Sequence, residues 1–190
     1  MKRFLSALAL LCLAVVFTPA RAAEDYPGTI QKFKAAGPTA KFFESAHGYA
    51  VFPTVGKAGF IFGGAFGRGQ VYVKGGEHVG NAAMTQATVG FQFGGQSYSQ
   101  IIFFQNEDAF KRFTTGKFEF GADAQVVVIT AGASARFNTA GSSASTSTDA
   151  KYATGGGDYN NGMATFILPK GGLMLDASIG GQKFDYKELE

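Results

Sequence analysis

The sequence predicts a single α+β domain: an antiparallel β-sheet curved into a barrel-like or sandwich core, with short N-terminal helices and one helix near residues 106–115. Three observations lead there. Twenty phenylalanines and 27 glycines share 190 residues with no tryptophan, and glycine at about twice its usual ~7% suits strands that approach closely and fill their gaps with rings. From Tyr49 onward, apolar residues alternate or run in short blocks broken by glycine, which is the pattern of strands. Before Tyr49, and again between Asn106 and Gly116, the apolar spacing is three to four, which is the period of helices.

Taken in order, residues 1–22, MKRFLSALALLCLAVVFTPARA, join a basic start, an apolar stretch from Phe4 to Phe17 and Ala20-Arg21-Ala22. This reads as a secretory signal peptide ahead of a mature domain over 23–190. Fourteen apolar residues are too few to cross a hydrocarbon layer of roughly 30 Å as a helix. Cys12 follows Leu11 in the middle of that stretch, unlike a lipidated cysteine, and it is the chain's one cysteine. The mature protein therefore has neither disulfides nor thiolate metal ligands. Its expected location is the periplasm, peripheral on a membrane.

Two short amphipathic helices follow, divided by Gly37-Pro38. Ile30, Phe33 and Lys34 lie on one side of the first, while Ala40, Phe43 and Ala46 line the second, with Pro38 in its first turn and Gly48 past its end. YAVFP, KAGFIFGGAFG, QVYVK, MTQATVGFQFGG and SYSQIIFFQ then read as successive strands, with Lys74-Gly75-Gly76-Glu77 as a tight turn. Val89, Phe91 and Phe93 alternate with Gln92, as in a half-buried antiparallel strand. In the earlier copy, GFIFGG, Ile61 stands where Gln92 does, so that strand is expected to be central or covered on its second face.

NEDAFKRFTTG reads as a helix capped by Asn106 and closed by Gly116, with Phe110 and Phe113 on one side. After it come GADAQVVVITAGASARF, a polar stretch TAGSSASTSTDA that suits an exposed loop or an edge strand, and a segment around Tyr152. MATFILPKGGLMLDASIGGQKFDYKE then reads as two strands about a Pro-Lys-Gly-Gly turn. No linker is long enough to divide the chain.

The motifs exclude more than they assign. No glycine starts a G-x-G-x-x-G, and Gly56-Lys57 and Gly116-Lys117 lack the hydroxyl residue of a phosphate loop, so the glycines are read as structural. His47 and His78 are the two histidines, and no G-x-S-x-G elbow or H-E-x-x-H helix occurs. Glu24-Asp25 and Glu107-Asp108 lie at helix starts, where negative charge is favourable in any case. No catalytic residue, metal site or cofactor is expected, and no nucleic-acid motif is present. A small outer-membrane barrel competes as an architecture, but helices interrupt its strands and the chain ends in KELE rather than an apolar strand.

Charge is the more informative feature. Without the first 22 residues, cations and carboxylates balance at 14 each, yet Lys32, Lys34, Lys41, Lys57, Arg68 and Lys74 face only Glu44 over residues 32–74, a local excess of +5. Lysines on short helices that also carry Phe33, Phe42 and Phe43 are what an interfacial helix needs. Phe33 and Phe43 are expected to pack on the sheet, which leaves Phe42 as the ring expected to be exposed and to enter lipid. The reading is reversible, non-catalytic binding to an anionic membrane surface. The alternative is a structural or protein-interaction module of the cell envelope, with envelope proteins as partners.

HGYAVFPTVGKAGFIFGGAFGRGQVYV (47–73), QATVGFQFGGQSYSQIIFFQNEDAFKRF (86–113), GADAQVVV (121–128) and KGGLMLDASIGGQKFDYKE (170–188) together resemble the SYLF domain, also called the Ysc84 family. The resemblance covers nearly the whole mature chain. It implies a lipid-binding module, similar to eukaryotic relatives that bind phosphoinositides with the help of an amphipathic N-terminal segment and to fungal relatives that bind actin. By position, that segment is residues 29–46 with Lys32, Lys34 and Lys41, and the glycine-rich block supplies Lys57 and Arg68. An exported chain meets no actin, so the partner implied is anionic phospholipid. ATFILPKGGL is more apolar than the family's serine- or tyrosine-rich strand.

Overall fold

A computed structural model describes residues 24–116, 119–120, 126–129 and 158–190. The signal peptide, most of GADAQVVVITAGASARF, the polar stretch and the Tyr152 segment lie outside the described residues.

Helices α1 (Tyr26–Ala35) and α2 (Gly37–Ser45) both carry proline in the first turn, where a missing N–H costs nothing. The Asp25 carboxylate caps α1 by accepting from the Gly28 amide at 2.8 Å. Ala36 between the helices is extended. The buried Thr39 hydroxyl donates to the carbonyls of Phe33 and Ala36. That bond satisfies the end of α1 and turns α2 against it.

The strands are β1 (Gly48–Gly59), β2 (Phe62–Val73), β3 (His78–Phe104), β4 (Glu119–Phe120), β5 (Val126–Val128) and β6 (Met163–Glu188), with α3 (Glu107–Thr114) between β3 and β4. β1 and β2 form an antiparallel hairpin. β2 pairs with the first half of β3, from Phe62↔Val89 to Tyr72↔His78, whereas β1 pairs with the second half, from Gly59↔Gly94 to Gly48↔Phe104. β3 must therefore run up one side of the hairpin, bend round its tip and return along the other. Gly90 and Gly94, at φ 142° and 118°, flank that bend in backbone conformations that side chains resist. β6 follows β3 from Gly80↔Glu188 to Phe104↔Met163, and β4 and β5 add to β6. The described strands thus make a curled, sandwich-like sheet, not a closed barrel.

Alternation sorts the apolar residues onto two faces. The inner face, between the two halves of the curl, holds Phe52, Met84, Ile102, Phe104 and Phe184, closed by Phe113 of α3. The outer face of β1 and the second half of β3 presents Val51, Ile101 and Phe103 to Phe33 and Phe42 of the helices. Fully burying one such ring contributes roughly 1.5–3 kcal/mol. In α3 the Asn106 side chain accepts from the Ala109 amide at 2.9 Å, as the sequence predicts.

Three expectations need correction. KAGFIFGGAFG is not one covered strand: β1 stops at Gly59 and β2 starts at Phe62, so Phe60-Ile61 form the hairpin tip, and Phe60, Ile61 and Phe62 are 65%, 53% and 77% exposed. MTQATVGFQFGG and SYSQIIFFQ are one strand of 27 residues, because the glycines between them bend β3 without breaking its pairing. Pro-Lys-Gly-Gly is not a turn either; the partner register passes from Pro169↔Tyr98 to Gly171↔Ser97, leaving Lys170 as a bulge inside β6.

Candidate functional site

The helix pair carries the first group of site residues. Lys32 and Lys34 occupy the last turn of α1, where cations complement the helix dipole, and Lys41 lies on α2; all three are exposed. The Lys34 ammonium sits 5.5 Å from the centre of the Phe43 ring, and that of Lys41 sits 5.0 Å from the Phe42 ring. Both ammonium groups thus stand over rings while the lysines stay exposed.

Phe42 is not the exposed ring. At 2% exposure it stacks on Phe103 at 5.4 Å and meets Phe166 and Tyr159 edge-on at 5.0 and 5.1 Å. The inward stripe of α2 is Thr39, Phe42 and Ala46, while Ala40 is exposed and Phe43 is half-buried against Tyr49 and Phe103. The cause is the Thr39 hydroxyl, which seeks the α1 carbonyls and rotates the helix so that Phe42 follows it inward.

The remaining cations divide. Arg68 is exposed on β2, in register with Thr54, and its field reaches Tyr26 at the start of α1. Burial pushes the Tyr26 hydroxyl far up, its hydrogen bond to Glu24 adds to this, and Arg68 opposes both. Arg68 thus lies close enough to the start of α1 to act on Tyr26. Lys57 is half-buried and pairs with Ala65 and Gln96 between the exposed Gly56 and Ala58, so alternation assigns it to the inner face, opposite Arg68. One further cation was not anticipated: the Lys170 ammonium donates to the Thr54 hydroxyl at 3.0 Å, on the strand position that faces Arg68. Its signal in the sequence was the PKGG segment, whose bulge pushes the lysine out of the β6 ladder.

Also missed was a set of exposed apolar side chains at the far end of the hairpin: Phe60, Ile61 and Phe62, with Phe66, Val89 and Phe93 beside them. The signal was an absence. No Asp, Glu, Lys or Arg occurs over residues 58–67 or 78–106.

Titration chemistry is sparse. Burial pushes the Tyr49 hydroxyl up to about 12, and Tyr49 stacks on Tyr72 at 5.1 Å. His78 bonds the Gly80 carbonyl at 3.0 Å and His47 packs edge-on against Phe110. Among the described residues, no three His, Cys, Asp or Glu side chains are placed to hold a metal ion, and no helix is long and apolar enough to cross a membrane.

Comparison with known proteins adds a family. The family model of Ysc84, described as "Las17-binding protein actin regulator", matches residues 85–187, more than half of the 190-residue chain. Beta cell expansion factor A of Aeromonas veronii is 32% identical over 149 residues, which is 77% of this chain and 49% of that protein. The chain thus spans about half the length of that curated relative. No solved structure matches it.

Proposed function

Because this chain belongs to the Ysc84 family, we propose that it is a non-catalytic module that binds anionic phospholipid surfaces reversibly, after export to the periplasm. The observation that carries this reading is the set of exposed cations on the helix pair. Lys32, Lys34 and Lys41 project from two short helices whose rings are locked into the sheet, and Arg68 continues the positive field onto β2. Rigid mounting matters because charges held on a fixed frame lose little conformational freedom on contact. Each is worth on the order of 1 kcal/mol near an anionic leaflet, so a few of them capture the domain weakly and in a salt-dependent way. Phe42 takes no part in insertion in this arrangement; it anchors α2.

The competing reading, a protein-interaction module of the cell envelope, draws on the family's description as a Las17-binding actin regulator, a role with protein partners. Co-sedimentation of the mature chain with phosphatidylcholine vesicles and with vesicles containing phosphatidylglycerol separates the two. We expect pelleting with the anionic vesicles at low salt and little with the neutral ones. Equal, negligible pelleting with both would remove the lipid reading and leave the protein-partner one.

A further inference from the structure

The helices cover the outer face of the sheet at one end. At the other, register sets Ala58 between Gly64 and Gly95, a short floor almost without side chains, bordered by the exposed Phe66 opposite Gly56. Beyond the floor stand the exposed Phe60, Ile61 and Phe62 of the hairpin tip and Val89 and Phe93 of the β3 bend, between 53% and 77% exposed. Single exposed apolar residues are ordinary, but five gathered on one projecting end mark a contact surface.

The backbone of the tip is also tied together internally. The Gly90 amide donates to the Ile61 carbonyl at 3.0 Å, the Gln92 amide donates to the Phe60 carbonyl at 3.1 Å, and the Phe60 amide donates to the Phe62 carbonyl at 3.2 Å. The wholly buried Gln92 side chain adds a bond to the Ile61 carbonyl at 3.3 Å and accepts from the Thr88 hydroxyl at 2.9 Å. The Phe60 and Phe93 rings meet edge-on at 6.1 Å. A segment entering an apolar medium must satisfy its backbone internally, and these bonds join the two parts of the tip to each other.

Cations stand behind the rings. Thr85, on the exposed face of β3, pairs with the exposed Lys183 of β6, four residues back from Val89, and Arg68 lies six residues back from Phe62. At about 3.3 Å per residue those are setbacks of about 13 and 20 Å, which long side chains shorten. Carboxylates are interleaved with these cations: Glu119 of β4 is in register with Lys183, the exposed Asp185 is two residues further from the tip, and Asp176 is in register with Gln92 at the bend. Arg68, on a strand with no carboxylate from Phe62 to Val73, is the cation left without an acidic register partner behind the rings, on the side where a bilayer presents phosphate beyond its acyl chains.

We propose that the β1–β2 tip and the β3 bend form a preformed wedge that enters the boundary between headgroups and acyl chains, with Arg68 meeting lipid phosphate behind it. This rests on the lipid-binding reading and supplies the inserting rings that α2 lacks.

The chain has no tryptophan, so a single introduced one reports its own surroundings. Phe62→Trp and Phe93→Trp are compared with Glu77→Trp, placed in the exposed turn at the other end of β2. The probes are phosphatidylcholine–phosphatidylglycerol vesicles with and without brominated acyl chains. Blue-shifted, bromine-quenched emission is expected at positions 62 and 93 and none at 77. A Phe62→Ser/Phe93→Ser variant, with an unchanged melting temperature, is expected to bind these vesicles roughly tenfold or more weakly per ring removed. Pelleting without quenching at 62 or 93 overturns the wedge and leaves lipid binding standing, whereas absence of pelleting overturns both. A blue shift that grows with protein concentration before vesicles are added assigns the tip to a second copy of the chain and also overturns the wedge.

Discussion

At the scale of single residues, the repeated glycine–phenylalanine text has a specific cause. A Cβ on Gly59 would stand 2.7 Å from the amide carbon of Gln92, and one on Gly63 would overlap the same amide. The two glycines are therefore the empty half of a joint whose other half is a buried glutamine holding the Ile61 carbonyl. This predicts coupling. Gly63→Ala should destabilise the fold by about 1–3 kcal/mol through overpacking. In a Gln92→Ala background, where the space is vacant, the same change should cost much less, and urea unfolding of the four chains measures the difference. Equal costs in both backgrounds would mean that the glycine serves something other than Gln92. The structural role of these glycines was legible in the sequence because every phosphate-loop pattern failed. Their partner was not, since Gln92 reaches them only after β3 has folded back along the hairpin.

At the scale of elements, the helices and strands were legible, but their ends and inward faces were less so. α3 announced itself through Asn106 and Gly116, residues whose side chain or backbone freedom is specific to helix ends. The hairpin tip had no such marker, because Phe60-Ile61 are strand-forming residues placed in a turn, and the tip is fixed by tertiary bonds to Gly90 and Gln92. The inward stripe of α2 was misread for a related reason: Phe42 and Phe43 are adjacent and equally apolar, and the Thr39 hydroxyl decides between them. Phe42→Ala should accordingly act on the fold, lowering stability by about 3–5 kcal/mol as a large-to-small change in a packed site. Lys41→Gln, which removes only an exposed charge over the same ring, should cost at most about 1 kcal/mol. Thermal or urea unfolding reports both. A Phe42→Ala chain of unchanged stability would return the ring to the surface.

At the scale of the whole molecule, the curl of β3 around the hairpin separates two kinds of surface: a cationic one on the helices and an apolar one at the tip. They should respond differently to salt. Attraction of exposed lysines to an anionic leaflet fades as the screening length shrinks from about 10 Å at 0.1 M to about 3 Å at 1 M, while apolar insertion is not weakened by added salt. Association with phosphatidylglycerol-containing vesicles should therefore fall steeply with salt and then level off above zero. Replacing Lys32, Lys34 and Lys41 by Gln should flatten the steep part, lowering low-salt affinity by roughly a hundredfold for three charges, and leave the plateau where it was. The Phe62→Ser/Phe93→Ser chain should do the reverse, keeping the slope and losing the plateau. Co-sedimentation of the three chains over one salt series reads both components at once. If the lysine variant loses slope and plateau together, the two surfaces act as one site, and the separation of capture on the helices from insertion at the tip is wrong.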